Sequence, residues 1–138
     1  MNDRLSPPPD EIHALGRAAL ERMAAYYDSL ASRPVVQPTT SAALRESLAE
    51  PLPQNPADFG SILATLDDII VRYSRHNAHP RFFGYISSPG TPVTAIGSLL
   101  ESTLNINVTC WRSGPAATEL EHVTVNWLKE MLGYPADA

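Results

Sequence analysis

The sequence predicts a mainly α-helical chain, with about five helices and one extended segment. Apolar residues recur at steps of three or four over long stretches, which is the period of a helix. The 13 prolines lie mostly between these stretches, where they start or end helices. No alternation of strand and helix patterns is visible in the 138 residues, so a parallel sheet is not expected within them.

Each predicted helix joins an apolar stripe to local start and stop signals. Ser6 precedes three prolines at the first start, and Asn55 with Pro56 forms a cap-then-proline pair at the third. Gly133 is expected to cap the last helix. The helices are predicted over residues 7–32, 41–49 and 56–77, from Thr91-Pro92 to Leu104, and from Ser113-Gly114-Pro115 to Gly133.

Residues 79–92, with the sequence HPRFFGYISSPGTP, interrupt the helical pattern. The segment holds aromatic residues and an isoleucine without helical period, so it is predicted to be extended and closed by a turn at Pro89-Gly90. Residues 105–112 are predicted to form a loop or a short strand.

Composition and charge exclude several classes of protein. The 10 basic and 15 acidic residues give a net charge of −5, which does not suit a nucleic-acid or anionic-membrane binder. The N-terminus lacks the apolar core of a secretory signal, and no apolar run approaches the roughly 18 residues of a membrane span. A cytoplasmic protein is expected.

The metal-ligating and nucleophilic candidates are few. His76 and His79 have the spacing of paired ligands, but Pro80 interrupts the helix and no third ligand is near, so ordinary loop histidines are favoured over a metal site. The single cysteine, Cys110, excludes an internal disulfide and lacks an obvious histidine–acid pair. It is expected to be a buried, small apolar residue rather than a nucleophile.

The run Ser87-Ser88-Pro89-Gly90-Thr91 precedes a predicted helix start. Free N–H groups and the positive end of the helix dipole would favour an anion such as a carboxylate or phosphate. The P-loop pattern is absent. From the residues alone, an ordinary turn with a helix cap is favoured over an anion site.

Three stretches together resemble the pyridoxal-phosphate-dependent (group II) amino-acid decarboxylases. They are HPRFFGYISSPGTP, LLESTLNINVTCWRSGPAATELE and NWLKEMLGYP. The resemblance covers nearly the whole chain but only the first quarter to third of a family member. It implies the N-terminal part of a type I aminotransferase-like fold: residues 1–78 would be a helical dimerisation segment of a homodimer. Residues 79–138 would line the substrate and lead into a large cofactor domain beyond this chain.

The resemblance also implies the chemistry of the complete enzyme. A family member removes the α-carboxylate of an amino acid as CO₂ with the help of pyridoxal 5'-phosphate, leaving an amine. Its cofactor-binding lysine lies further downstream, whereas Lys129, the only lysine here, matches a structural position on a helix. No catalytic, cofactor-binding or metal-binding residue is therefore assigned, and this chain alone is expected to be inactive.

The site residues follow from the same resemblance. The residues expected to line the substrate are Tyr85, Ile86, Ser87 and Ser88. Those expected to reach the neighbouring subunit's site are Asn107 and Thr109. Asn77 and Thr109 stand where aromatic decarboxylases keep aromatic residues, which weakens the case for an aromatic substrate. The HPRFF run and the run from Ser102 to Asn107 lean toward the glutamate branch, and the amino-acid substrate stays open. The alternative is a non-catalytic helical dimerisation or interaction module derived from such an enzyme.

Overall fold

A computed structural model describes residues 6–135 and shows helices and no strand in that range. The mainly α prediction is confirmed. The chain divides into two compact units, Met1–Pro92 and Val93–Ala138. The division by role at residues 78 and 79 stays a prediction.

Five α-helices account for most of the regular structure. The first, α1, continues into a 3₁₀ turn at Leu30–Ser32, and α3 continues into a π-helical turn at Leu66–Val71. The helices are α1 (Pro9–Ser29), α2 (Ser41–Ser47), α3 (Phe59–Thr65), α4 (Pro92–Leu104) and α5 (Pro115–Met131).

The start of α3 differs from the prediction at Asn55-Pro56. Asp58 caps the helix instead, because its carboxylate accepts the Ser61 N–H at 3.0 Å. The hydrogen bonds from Ser61 lower the pKa of the Asp58 carboxyl. The wide π turn that follows α3 also differs from the prediction of one continuous helix over residues 56–77. The apolar spacing in the sequence fits an α-helix equally well and so does not reveal this turn. Its Asp67 lies 3.1 Å from the Arg22 guanidinium of α1.

The end of α5 confirms the predicted glycine cap. Gly133 has φ of +75°, the left-handed conformation that glycine adopts without steric cost. Its N–H donates to the Glu130 carbonyl at 3.1 Å, and the Tyr134 N–H donates to the Lys129 carbonyl at 2.9 Å. This paired arrangement is a Schellman motif, which satisfies carbonyls that the helix leaves open.

Little apolar surface is buried within the described chain. Among residues 6–135, Leu30 and Leu63 are the buried apolar side chains, each 6% exposed. A cleft of about 490 Å³ runs between α1 and α3. In the second unit, Trp127 and Leu128 of α5 are more than half exposed. Patches of this kind mark surfaces that another part of a protein or a partner covers.

Membrane-spanning helices are not found in the described range. Over residues 6–135, no helix is both long enough and apolar enough to cross a bilayer.

Candidate substrate-lining site

Two consecutive turns after the helical region of α3 lead into the segment that contains the predicted substrate-lining residues. The His79 N–H donates to the His76 carbonyl at 3.0 Å, and the Phe82 N–H donates to the His79 carbonyl at 2.9 Å. The chain then bends at Tyr85-Ile86 rather than turning at Pro89-Gly90 as predicted. Tyr85 adopts φ of +62°, and this left-handed residue redirects the backbone earlier than the proline–glycine signal indicated.

An arginine and two aromatic rings hold this bend. The Arg75 guanidinium carbon lies 4.3 Å from the centroid of the Tyr85 ring and 5.9 Å from that of Phe82. The two rings stack, with centroids 6.4 Å apart and planes inclined by 19°. Cation–π contact stabilises such a pair by about 0.5–1 kcal/mol at an exposed site. This partly offsets the cost of the left-handed tyrosine, about 1–2 kcal/mol.

The four residues expected to line the substrate lie together on this bend. Tyr85, Ile86, Ser87 and Ser88 are all exposed. Their two serine hydroxyls are able to donate or accept hydrogen bonds, and the Tyr85 ring offers an aromatic face. The structure leaves all four residues accessible in the first unit, and their contact with substrate stays a prediction.

Asn107 and Thr109 lie in the loop between α4 and α5, in the second unit. The Asn107 side-chain oxygen accepts the Thr109 N–H at 2.9 Å, a local turn that fixes the direction of both residues. The loop leaves α4 through Asn105, whose φ of +44° ends the helix. Both residues are exposed, and their expected role at a neighbouring subunit's site stays a prediction.

The Ser113 hydroxyl forms hydrogen bonds with other residues of the same loop. It lies 2.7 Å from the Asn107 carbonyl, 2.9 Å from the Cys110 carbonyl and 3.3 Å from the Cys110 sulfur. Hydrogen bonding to Ser113 lowers the pKa of the Cys110 thiol. One hydroxyl proton cannot serve three acceptors, and the Asn107 carbonyl is the nearest. Cys110 is exposed, so the prediction of a buried thiol is wrong: the loop turns it outward.

Gly114 is a position at which a side chain does not fit. A Cβ there would lie 2.8 Å from Ile106 Cγ2 and 3.0 Å from the Asn107 carbonyl oxygen. Neither contact is acceptable, and the backbone oxygen cannot rotate away. The sequence identifies Gly114 only as part of a helix start, because the close approach arises only once the loop is folded.

Replacing Gly114 with alanine is expected to destabilise the protein by about 1–3 kcal/mol, the usual cost of overpacking. The measurement is the free energy of unfolding in urea. Gly97→Ala is the matched control, because Gly97 lies inside α4 and a Cβ added there would meet nothing within 4 Å. That variant should gain up to about 1 kcal/mol from helix propensity. Equal effects of the two substitutions would contradict the steric explanation.

The two loop histidines are buried, at 2% exposure for His76 and 3% for His79. The His76 ring hydrogen-bonds to the Tyr26 hydroxyl of α1. The His79 ring hydrogen-bonds to the backbone carbonyl of Arg33, just after the 3₁₀ turn. Within residues 6–135, no cluster of three potential metal ligands exists. The sequence predicts loop histidines but neither their burial nor these bonds to residues about fifty positions earlier.

The expectation that this chain alone does not hold pyridoxal phosphate stays a prediction. Lys129 lies near the end of α5, beside two shallow clefts. Such a site needs an acid for the pyridine nitrogen and donors for the phosphate group. Neither cleft contains a second cationic side chain. The residues that line them are Val125, Asn126, Leu128, Lys129, Glu130, Leu132, Gly133 and Tyr134.

Comparison with known protein families shows the family to which this chain belongs. The family described as the pyridoxal-dependent decarboxylase conserved domain matches residues 42–138. The chain belongs to this family. The resemblance found in the three sequence stretches is thereby confirmed, and the helical architecture fits the N-terminal part of the fold.

Similar proteins include enzymes of aromatic amino acids. Aromatic-L-amino-acid decarboxylase of Bacillus atrophaeus is 32% identical over all 138 residues, which cover 29% of that enzyme. The crystal structure of Oryza sativa TDC with PLP and tryptamine matches with a TM-score of 0.86 and 29% identity, over 93% of this chain and 27% of that one. The Rhodiola rosea 4-hydroxyphenylacetaldehyde synthase matches with a TM-score of 0.86 and 30% identity over the same shares.

The chain thus spans less than a third of these relatives. None of the three carries a name that points to glutamate, so the lean toward the glutamate branch finds no support among them. Sequence reasoning missed Arg75 and Ser113, which shape the two segments that carry the predicted site residues. An arginine just before a histidine–aromatic run was the available signal for the first.

Proposed function

We propose that this chain supplies substrate-lining and subunit-interface residues to a pyridoxal-phosphate-dependent enzyme of the cytoplasm. The complete enzyme would remove the α-carboxylate of an aromatic L-amino acid as CO₂. The observation that carries the proposal is the family match over residues 42–138, joined to the close structural likeness to an enzyme crystallised with PLP and tryptamine.

The exposed surfaces of the chain support a role inside a larger assembly. Val93 at the start of α4 is 79% exposed, and Met131 at the end of α5 is equally so. Fully burying one such side chain stabilises a protein by about 1.5–3 kcal/mol. We propose that a cofactor domain and a second copy of the protein cover these faces in a homodimer. The bend at Tyr85 would then form one wall of an enclosed substrate site.

The cofactor would be held by residues outside the described range, since the clefts beside Lys129 offer no second cationic side chain for its phosphate. This chain's contribution is to position the substrate. Ser87 and Ser88 offer hydrogen bonds to a polar group, and the Tyr85 ring offers stacking to an aromatic one. Holding the substrate in one orientation is itself a large part of catalysis.

The test uses the protein with whatever downstream sequence its gene supplies. It is incubated with pyridoxal phosphate and, separately, with tryptophan, tyrosine, phenylalanine, histidine and glutamate. We expect CO₂ and an amine in equal amounts from at least one aromatic substrate, and none when the cofactor is left out. Aldehyde is measured as well, because one relative is named a 4-hydroxyphenylacetaldehyde synthase.

A folded dimer that releases no CO₂ from any of these substrates would contradict the proposal. It would support the alternative of a non-catalytic interaction module derived from a decarboxylase. Release from glutamate alone would keep the reaction and overturn the aromatic substrate class.

A further inference from the structure

Two buried histidines lie at the base of the exposed substrate-lining segment. Only five residues lie between His79, which is 3% exposed, and Tyr85, which is 76% exposed. The segment is therefore buried at its start and exposed to solvent at its bend. The contacts that hold the two histidines in place therefore also determine where the bend begins.

Hydrogen bonding determines which ring nitrogen of His79 carries the proton. Its Nδ1 accepts the Arg81 N–H at 3.0 Å, so this nitrogen carries no proton. Its Nε2 lies 3.0 Å from the Arg33 carbonyl oxygen, which can only accept, so Nε2 carries the proton. These two hydrogen bonds select a single tautomer of the ring.

His76 completes the attachment to α1. Its N–H donates to the Val35 carbonyl at 3.0 Å, and its Nδ1 lies 3.2 Å from the Tyr26 hydroxyl. Burial raises the pKa of Tyr26, so the phenol keeps its proton and hydrogen-bonds to the imidazole. Burial, reinforced by Arg33 and His79, lowers the pKa of His76.

The charged groups that face His76 favour its neutral form. They are Arg33, from the connector after α1, and His79. The Arg33 guanidinium is itself held over the Tyr26 ring of α1, 5.7 Å from its centroid. A positive charge on the His76 ring would therefore meet the positive charge of Arg33.

We propose that His76 and His79 are positioning residues that fasten the substrate-lining segment, and that the segment is released when the buried His76 ring is protonated. We call this arrangement the histidine clasp. Because the pKa of His76 is lower when folded, its contribution is present above the ordinary histidine value of 6.5 and is lost as the pH falls through the folded value. The effect on catalysis rests on the proposed function, but the clasp itself does not.

The test is amide hydrogen exchange of residues 76–82 in the protein with its native downstream sequence. The backbone N–H groups of His76, His79, Arg81 and Phe82 are bonded within the clasp and report its opening. After correction for the intrinsic rate, protection should fall about tenfold or more between about pH 7.5 and about pH 5.5. Where the enzyme is active, kcat/KM should fall over the same range.

Two variants separate titration from simple loss of packing. His76→Asn and His76→Gln both keep a side chain that can hydrogen-bond to the Tyr26 hydroxyl, and neither titrates. In both, the protection of the Arg81 and Phe82 amides should lose most of its dependence on pH. The control is His13→Gln, at an exposed position on α1, which should retain the full dependence.

The outcomes distinguish the clasp from the proposed function. Protection in the unsubstituted protein that does not change with pH would overturn the clasp, whatever the activity. The same would follow if His13→Gln and His76→Gln behaved alike. Dependence on pH in a protein that decarboxylates nothing would leave the clasp standing and overturn the enzyme.

Discussion

A polypeptide of residues 1–138 alone should neither decarboxylate any amino acid nor take up pyridoxal phosphate at a specific lysine. Its one lysine, Lys129, lies near the end of α5, where its backbone carbonyl accepts the Tyr134 N–H of the helix cap. A cofactor site needs an acid at the pyridine nitrogen and donors for the phosphate in addition to the lysine. The clefts beside Lys129 contain no second cationic side chain to hold the phosphate.

The measurement is reduction with borohydride in the presence of the cofactor, followed by mapping of the adduct by mass spectrometry. Lys129→Arg is the control, because it keeps the positive charge and removes the amine. Adducts on the terminal α-amino group, which reacts with any aldehyde, should be equal in both polypeptides. A stoichiometric adduct on Lys129 that also supports turnover would contradict the expectation.

The fold is predictable where the signals are local. The start of α4 at Pro92 and the left-handed Gly133 after α5 follow from how proline and glycine restrict or free a few neighbouring dihedrals. The prediction fails at α3 for a local reason as well. Asn55 and Asp58 are both good caps, and the sequence does not say which of two competing caps will bond the next turn.

The sequence predicts which residues make up the candidate site, but it does not predict how they are arranged. Composition and resemblance both indicate the segment that contains Tyr85, yet its bend depends on the Arg75 contact. The burial of His79 depends on the Arg33 carbonyl, 46 residues earlier in the chain. Contacts across that distance leave no period or spacing in the sequence, so the sequence alone favours ordinary loop histidines.

Ser88→Ala in the complete enzyme should lower kcat/KM on the true substrate by about tenfold to a hundredfold. The proposed role of Ser88 is a hydrogen bond to a charged group of the substrate, and such bonds are worth about 1.5–3 kcal/mol. Because Ser88 is exposed on the bend, its hydroxyl is available to a ligand rather than engaged in a core. The loss is therefore expected in catalysis and not in folding.

The readouts that isolate this role are cofactor absorbance and the melting temperature, both of which should match the unsubstituted enzyme. Ser88→Thr keeps the hydroxyl and should recover most of the activity. Ser47→Ala is the matched control, because Ser47 is an exposed serine whose hydroxyl donates to the Ala43 carbonyl of its own helix. It should leave kcat/KM unchanged. If Ser88→Ala kept full kcat/KM, the bend at Tyr85 would have to be given up as the wall that holds the substrate.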